Sequence, residues 1–482
     1  MPDSAVDVVV LGYGGAGAMA ALSACDAGAS VLLVDKMATG GGSTHEAGGT
    51  LRPPRDPDLA ATHYAALSGG TTPLDMMRTL AHGETRLRDK LTALGATFSD
   101  FRLPPAPFPA RRDDSAYPGI EGSAGLGERI RVAGEPGQGG GEALWELLAA
   151  TIAGKPIEVA LGQRGTRLLR DPVTERVTGV ELTDERGEVS VVTARGGVVL
   201  ACGGFGHDDA LKRDYLGADV GALSPPGRAT GDGIRMAARV GAGMWHMTSV
   251  SCTFGYRFAG HVSAFYAQMP AHGYFMVDRT GNRFCDETAV ENHAVLNLLG
   301  VRNPRTGQYD RIPGCVIFDE TTRLAGRVFN PSVGENRHFD WSQDNGAEVE
   351  RGWITTAGSI RELADRLELP AAALERTHRR FREGVAAGRD EFGRPAARLA
   401  DVGTPPYYAV RVWPSLLNTQ GGPRRDTEAR VLDAVGEPIP GLYSAGELGS
   451  VWGALYPGSG NVAEALVFGE IAGRNAAVGR AA

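Results

Sequence analysis

Three glycines, Gly12, Gly14 and Gly17, carry the first chemical signal in the chain. Their Gly-x-Gly-x-x-Gly spacing follows the apolar run VDVVVLG (6–12) and opens a small-residue stretch closed by Gly28. The first glycine permits a tight turn, the second lets the backbone approach a pyrophosphate, and the third lets a helix pack on its strand. The N-terminus of that helix then faces the phosphates. Gly15 and Ala16 lie inside the motif and are assigned with it. Asp35 ends a second apolar run, SVLLVDK, 23 residues after Gly12, where an acid takes ribose hydroxyls; Lys36 is assigned to the same end. Strand, helix, second strand and acid together predict a dinucleotide site. The run Gly41-Gly42-Ser43 directly after the second strand favours FAD over a nicotinamide. Far downstream, GLYSAGE (441–447) ends a strand on Gly446 and Glu447, placing an acid at the flavin's ribityl chain.

The elements that must hold these residues are legible as a βαβ unit over the first 36 residues. Residues 58–98 are periodic in apolar residues and predict helices; 102–140 are irregular and rich in Pro, Gly and Arg; 157–205 carry short strands. Past 240 aromatic and polar residues mix, and from Tyr407 apolar runs and glycine turns return. The expected architecture is α/β: a Rossmann-type FAD-binding domain built from residues 1–240 and 401–482, with an inserted α+β capping domain over 241–400. Glycine supplies 68 of 482 residues, about twice the usual share, without a collagen-like period or a linker tract. With 49 basic and 57 acidic residues the net charge is −8, which argues against nucleic acid and against a polybasic membrane anchor. Five scattered cysteines form no CxxC pair, so neither a disulfide framework nor a metal site is expected. No run reaches transmembrane length and the N-terminus shows no signal pattern, so the expected location is cytoplasmic.

Seven segments resemble the flavoprotein family of fumarate reductases, succinate dehydrogenases and 3-ketosteroid dehydrogenases. They are VVVLGYGGAGAMAA (8–21), GGGSTHEAGG (40–49), LACGGFG (200–206), ATGDGIRMAARVGA (229–242), VDRTGNRFCDE (277–287), NTQGG (418–422) and GLYSAGE…YPGSGNVAEALVFGEIAGR (441–474). They cover nearly the whole chain in the family's order. The resemblance implies an active site between the two domains, over the flavin ring. It adds Gly48, Gly49, Ala201, Gly203, Thr230, Asp232, Asn461 and Val462 to the cofactor residues, and GQRGT (162–166) at the adenine. Asp232 has a second reading, as the N-cap of the helix that follows it. Where succinate dehydrogenases attach flavin to a histidine this chain has about Gly42, with His45 offset, so the FAD is expected to be non-covalent.

The departures from the family bear on the substrate. Positions that hold a dicarboxylate in fumarate reductases read Asn418-Thr-Gln420 and Tyr456, and the family's proton-donating arginine is Glu291 here, after Asp286-Glu287. A dianion would lose its charge-assisted partners. Tyr456-Pro-Gly-Ser-Gly460 instead resembles the TyrProGlyProGly turn of 3-ketosteroid Δ1-dehydrogenases, which implies that the Tyr456 hydroxyl and the Gly460 N–H hold a substrate carbonyl. Two donors aimed at that oxygen stabilise the enolate formed when an α proton leaves. Glu291 stands where those enzymes place a tyrosine base and takes the proton role, with Tyr117, Tyr256, Tyr266 and Tyr274 as other candidates; His246 and His293 read as satisfied polar residues. The expected activity is FAD-dependent dehydrogenation of a C–C bond α,β to a carbonyl, or its reversal. The small-molecule substrate is a ketone or enone, and the electron partner is unidentified. The rivals are a reductase of an α,β-unsaturated acid, with Arg257, Arg424 or Arg425 supplying a charge, and a flavin electron carrier without turnover.

Overall fold

The computed structural model describes residues 4–101, 107–108, 117–331 and 334–479, without the side chains of 334 and 335. Ser4–Leu11 forms the strand expected of its β-branched run. It pairs in parallel with Val31–Asp35 on one side and Val189–Leu200 on the other. Ile157–Leu161 extends the sheet past Val31–Asp35, and Pro438–Ser444 extends it past Val189–Leu200, both in parallel. Both ends of the chain therefore build one sheet, in the order Arg430–Leu432, Pro438–Ser444, Val189–Leu200, Ser4–Leu11, Val31–Asp35, Ile157–Leu161. Alternation along Ser4–Leu11 sends Val8 and Val10 into the core under the helices Gly15–Asp26 and Asn461–Val478, and Val9 and Leu11 into a second core with Leu168, Val180 and Leu182. Burial on both faces is why the strand reads as one continuous apolar run.

A second sheet runs Phe265–Tyr266, Val250–Tyr256, Tyr407–Thr419, Gly314–Asp319, Tyr274–Val277, with antiparallel pairing along this path. Its core is aromatic, with Phe254, Tyr274, Phe318 and Trp341 fully buried. Stretches expected to belong to the first domain contribute strands to this sheet. The 13-residue strand Tyr407–Thr419 is the hub of the second sheet, and Gly221–Ala222, from within the expected first domain, pairs with its Ser415 and Leu416. An apolar run of strand length does not tell in sequence which sheet will take it. Among the described residues no helix is long and apolar enough to cross a membrane.

Candidate active site

The turn after Ser4–Leu11 meets the loop after Val31–Asp35, with Gly14 bridged to Gly41 and the Gly41 N–H donating to Tyr13 O at 2.7 Å. Gly12 has φ +107°, and a methyl group placed on it would stand 2.2 Å from Ala201 O. On Gly17 a methyl would stand 1.7 Å from Gly12 O, so the third glycine serves the helix–strand contact, as expected. Gly14 alone of the motif would accept the same methyl without crowding, its nearest neighbours being Gly41 O and Gly42 Cα at 3.7 Å. The Gly15 N–H is already given to Thr44 Oγ1 at 3.0 Å, so it is not among the donors left for a phosphate. Asp35 is pinned by two N–H groups, from Tyr13 to Oδ2 at 2.7 Å and from Met37 to Oδ1 at 2.8 Å, and each oxygen keeps a lone pair for a hydroxyl.

These residues line one cavity of about 850 Å³, which also reaches the second sheet. Of the expected cofactor residues, Gly12, Gly14, Gly15, Ala16, Asp35, Lys36, Gly42, Ser43, Gly48 and Gly49 line it, as do Ala201, Gly203, Asp232, Gly446, Glu447, Asn461 and Val462. Gly17, Gly41 and Thr230 stand behind the wall. Gln163, Arg164 and Gly165 of the expected adenine segment also line it. Asp232 is not a helix cap: the residue before the helix is Gly231, and no side chain caps that end. Its carboxylate instead accepts from Lys36 Nζ at 2.9 Å and Thr230 Oγ1 at 3.0 Å and pairs with Arg164. Burial would raise that carboxyl, but the hydrogen bond from Arg164 and the Lys36 charge hold it below the usual carboxylate range. Glu447 accepts from Thr419 N–H at 3.1 Å and Ser43 Oγ at 3.3 Å, and burial pushes it up to about 7. His45 does not line the cavity; its Nδ1 lies 2.9 Å from Glu46 Oε1. The glycine turn, the pinned Asp35 carboxylate and a cavity of this size fit FAD.

Tyr456 and Glu291 line the same cavity, 165 residues apart in the chain. The two donors expected to share a carbonyl are instead engaged with each other. The Tyr456 hydroxyl oxygen accepts the Gly460 N–H at 2.9 Å and the Asn461 N–H at 3.0 Å, and Gly460 itself does not line the cavity. The first N–H groups of Asn461–Val478 thus act on the phenol rather than directly on a substrate, as the unpaired N–H groups of a helix start can. Burial raises the phenol above its ordinary range, and the two N–H groups work against that rise. Glu291 is not a lone acid. Its Oε2 accepts the His293 N–H at 2.6 Å and its Oε1 lies 2.9 Å from His293 Nδ1. Tyr117 stands beside it; burial and the Glu291 charge both raise its phenol.

Of the other candidates, Tyr117 and Tyr266 line the cavity, whereas Tyr256 and Tyr274 are buried in the aromatic core. His246 is a satisfied polar residue, with Nδ1 2.7 Å from Ser450 O. His293, expected from the sequence only as a satisfied polar residue, lines the cavity; the signal for its pairing with Glu291 was the Glu-x-His spacing. Arg257, Arg424 and Arg425 do not reach the cavity: Arg257 pairs with Asp219, Arg424 lies over Trp245, and Arg425 is buried against Glu464. Arg129 and Arg131, from the irregular stretch, do line it. Arg129 Nε donates to Ser459 Oγ at 3.2 Å, and the Arg131 guanidinium lies over the Phe101 ring at 4.4 Å. Asn418, of the Asn418-Thr-Gln420 stretch, lines the cavity and accepts from Asn461 Nδ2 at 2.8 Å.

The FAD binding domain family matches residues 7–462, and the chain belongs to it. It is an FAD-dependent oxidoreductase acting on CH–CH groups. It is 28% identical to a 3-oxosteroid 1-dehydrogenase of Mycobacterium tuberculosis (strain ATCC 25618 / H37Rv), over 97% of both chains. It is 29% identical to a 4-oxocyclohexanecarboxylate 2-dehydrogenase of Sinomonas cyclohexanicum, over 99% of this chain and 93% of that one. Against an NADH:fumarate oxidoreductase of Klebsiella pneumoniae (strain 342) it is 28% identical over 98% of its own length but spans only 47% of that longer protein. Among solved structures, a 3-ketosteroid Δ1-dehydrogenase from Sterolibacterium denitrificans superposes with a TM-score of 0.80 at 23% identity, covering 98% of this chain and 99% of that one.

Proposed function

We propose that this protein removes two hydrogens across a C–C bond next to a ketone carbonyl, or adds them in the reverse direction. The observation that carries the proposal is the Tyr456 hydroxyl at the cavity wall. Its oxygen takes two N–H groups, so its own proton is left to donate. Burial keeps that phenol protonated, which a donor to a carbonyl requires. As an α proton leaves, charge gathers on the carbonyl oxygen, and a preorganised donor in a site shielded from water stabilises it. The Glu291–His293 pair, with Tyr117 beside it, handles the proton. Bound FAD supplies hydride acceptance at the adjacent carbon, held by the glycine turn, Asp35 and Glu447. Electrons leave through another protein or a quinone-like acceptor.

A second reading concerns the substrate's charge. Arg129 and Arg131 line the cavity, and Arg129 is tied to Ser459 within the Tyr456–Gly460 turn. A ketone that also carries one carboxylate would gain a charge-assisted partner there. The test is anaerobic absorbance of the purified holoenzyme mixed with a saturated 3-ketosteroid or with 4-oxocyclohexanecarboxylate. Bleaching of the flavin band by either supports a ketone dehydrogenase, and the faster of the two names the substrate class. If neither bleaches it, and the dithionite-reduced enzyme is not reoxidised by the matching enones, the ketone assignment fails.

A further inference from the structure

We infer that His293 is the group that moves the substrate's α proton, and that Glu291 is its positioning residue. This rests on the ketone reading above. Each Glu291 oxygen holds one group of His293, Oε2 the backbone N–H at 2.6 Å and Oε1 the imidazole Nδ1 at 2.9 Å, with Tyr117 beside the same carboxylate. A carboxylate on Nδ1 selects the tautomer protonated there, which leaves the lone pair on Nε2. No hydrogen bond engages Nε2 among the described residues.

The ring is fixed from several directions. It stands edge-on to the Tyr456 ring at 5.0 Å and 87°, and a methyl group on Gly458 would lie 3.3 Å from its Cε1. The His293 carbonyl accepts the Cys252 N–H at 2.8 Å. The loop is also held at Asn292, whose Oδ1 accepts from Tyr266 Oη at 2.6 Å and Thr253 Oγ1 at 2.8 Å. Side-chain exposure of His293 and Glu291 is 21% and 24%, and both line the cavity, so a small molecule there reaches the imidazole. The titratable groups around the ring are Glu291 on its own loop, Tyr117 beside Glu291, and Tyr456 in edge-on contact.

Tyr456 and His293 are in ring contact, and this juxtaposition matches the reaction's geometry. The carbonyl oxygen belongs at the Tyr456 hydroxyl, and the α carbon is attached to the carbonyl carbon. In the step assigned to His293 the α C–H bond breaks heterolytically. The proton passes to Nε2, and the electron pair enters the enolate that Tyr456 stabilises. The imidazolium so formed is balanced by the Glu291 carboxylate. In the reverse direction the same imidazolium returns the proton to the α carbon. Net oxidation needs the bound FAD, whereas α-proton exchange does not.

The test isolates that half-reaction. Dithionite-reduced holoenzyme is mixed anaerobically with 4-oxocyclohexanecarboxylate or a saturated 3-ketosteroid in D2O, and deuterium entry at the α carbon is followed by NMR. The wild type should exchange. His293→Ala should lose about 10²-fold or more of the exchange rate, and added imidazole should restore part of it, which a purely structural role would not allow. Glu291→Gln should lose about 10-fold in rate with KM little changed, as for a group that orients another. His293→Gln, of similar size and polarity, guards against a folding artefact, and retained flavin absorbance certifies each variant. Wild-type exchange in both His293 variants, or exchange lost in Glu291→Gln but kept in His293→Ala, overturns the assignment. A flavin-loaded wild type that exchanges neither ketone overturns the ketone reading itself, and this inference with it.

Discussion

Replacing Gly14 with alanine separates the ligand from the fold. Gly14 has φ −99° and ψ −167°, an extended conformation open to alanine. A methyl group there meets Gly41 O and Gly42 Cα at 3.7 Å and Thr44 Oγ1 at 4.0 Å, ordinary van der Waals distances. The apoprotein should therefore be unharmed, or gain about 0.4–1 kcal/mol because alanine restricts the unfolded chain. With FAD bound, the same methyl occupies space that the pyrophosphate needs. Overfilling a packed site costs about 1–3 kcal/mol, which corresponds to FAD binding roughly 5- to 150-fold weaker. Gly17→Ala is the contrast: its methyl would stand 1.7 Å from Gly12 O, so the apoprotein should fail to fold. The assay is the melting temperature of flavin-stripped protein together with FAD affinity by fluorescence titration. Apo must be compared with apo, because bound FAD stabilises the fold by mass action. An unchanged FAD affinity in Gly14→Ala would refute the phosphate assignment. A collapsed apo melting temperature would show that the glycine serves the backbone instead.

Three further outcomes follow from the same geometry. Tyr456→Phe should keep FAD and lose about 10²–10³ in turnover. It should also cost about 1–3 kcal/mol of stability by orphaning the Gly460 and Asn461 N–H groups, read by denaturant unfolding. Burial pushes the Glu84 carboxyl up to about 8, so the folded protein binds more protons than the unfolded chain between about pH 4.5 and 8; the melting temperature should fall with rising pH across that window, and Glu84→Gln should flatten the fall. Arg131→Gln should weaken binding of 4-oxocyclohexanecarboxylate by about 10-fold, the loss of one charge-assisted contact, while leaving ketosteroid binding unchanged; equal effects on both would remove Arg131 from carboxylate recognition.

What the sequence reveals depends on how local each feature is. The glycine turn, its strand and Asp35 lie within 36 residues, and their spacing is itself the constraint, so pattern and structure agree. The closing strand Pro438–Ser444 is equally legible as an apolar run, although its parallel partner lies over 200 residues away. Sheet membership is not legible in the same way. Tyr407–Thr419 reads in sequence as an apolar strand that either sheet could take, and only its partners, Val250–Tyr256 and Gly314–Asp319, assign it to the second.

Side-chain roles are harder still, because a polar group's role is set by whichever partner reaches it first. Asp232 suggests an N-cap in sequence, yet it is the first residue inside its helix, and Lys36 and Arg164 claim its carboxylate from distant parts of the chain. The Gly460 N–H points at an oxyanion in the sequence reading, but the Tyr456 ring four residues earlier folds back onto it. That reversal turns the Gly460 N–H from a substrate donor into a support for the Tyr456 hydroxyl. Each Glu291 oxygen holds one group of His293, so the carboxylate orients the imidazole to which the proton transfer is assigned.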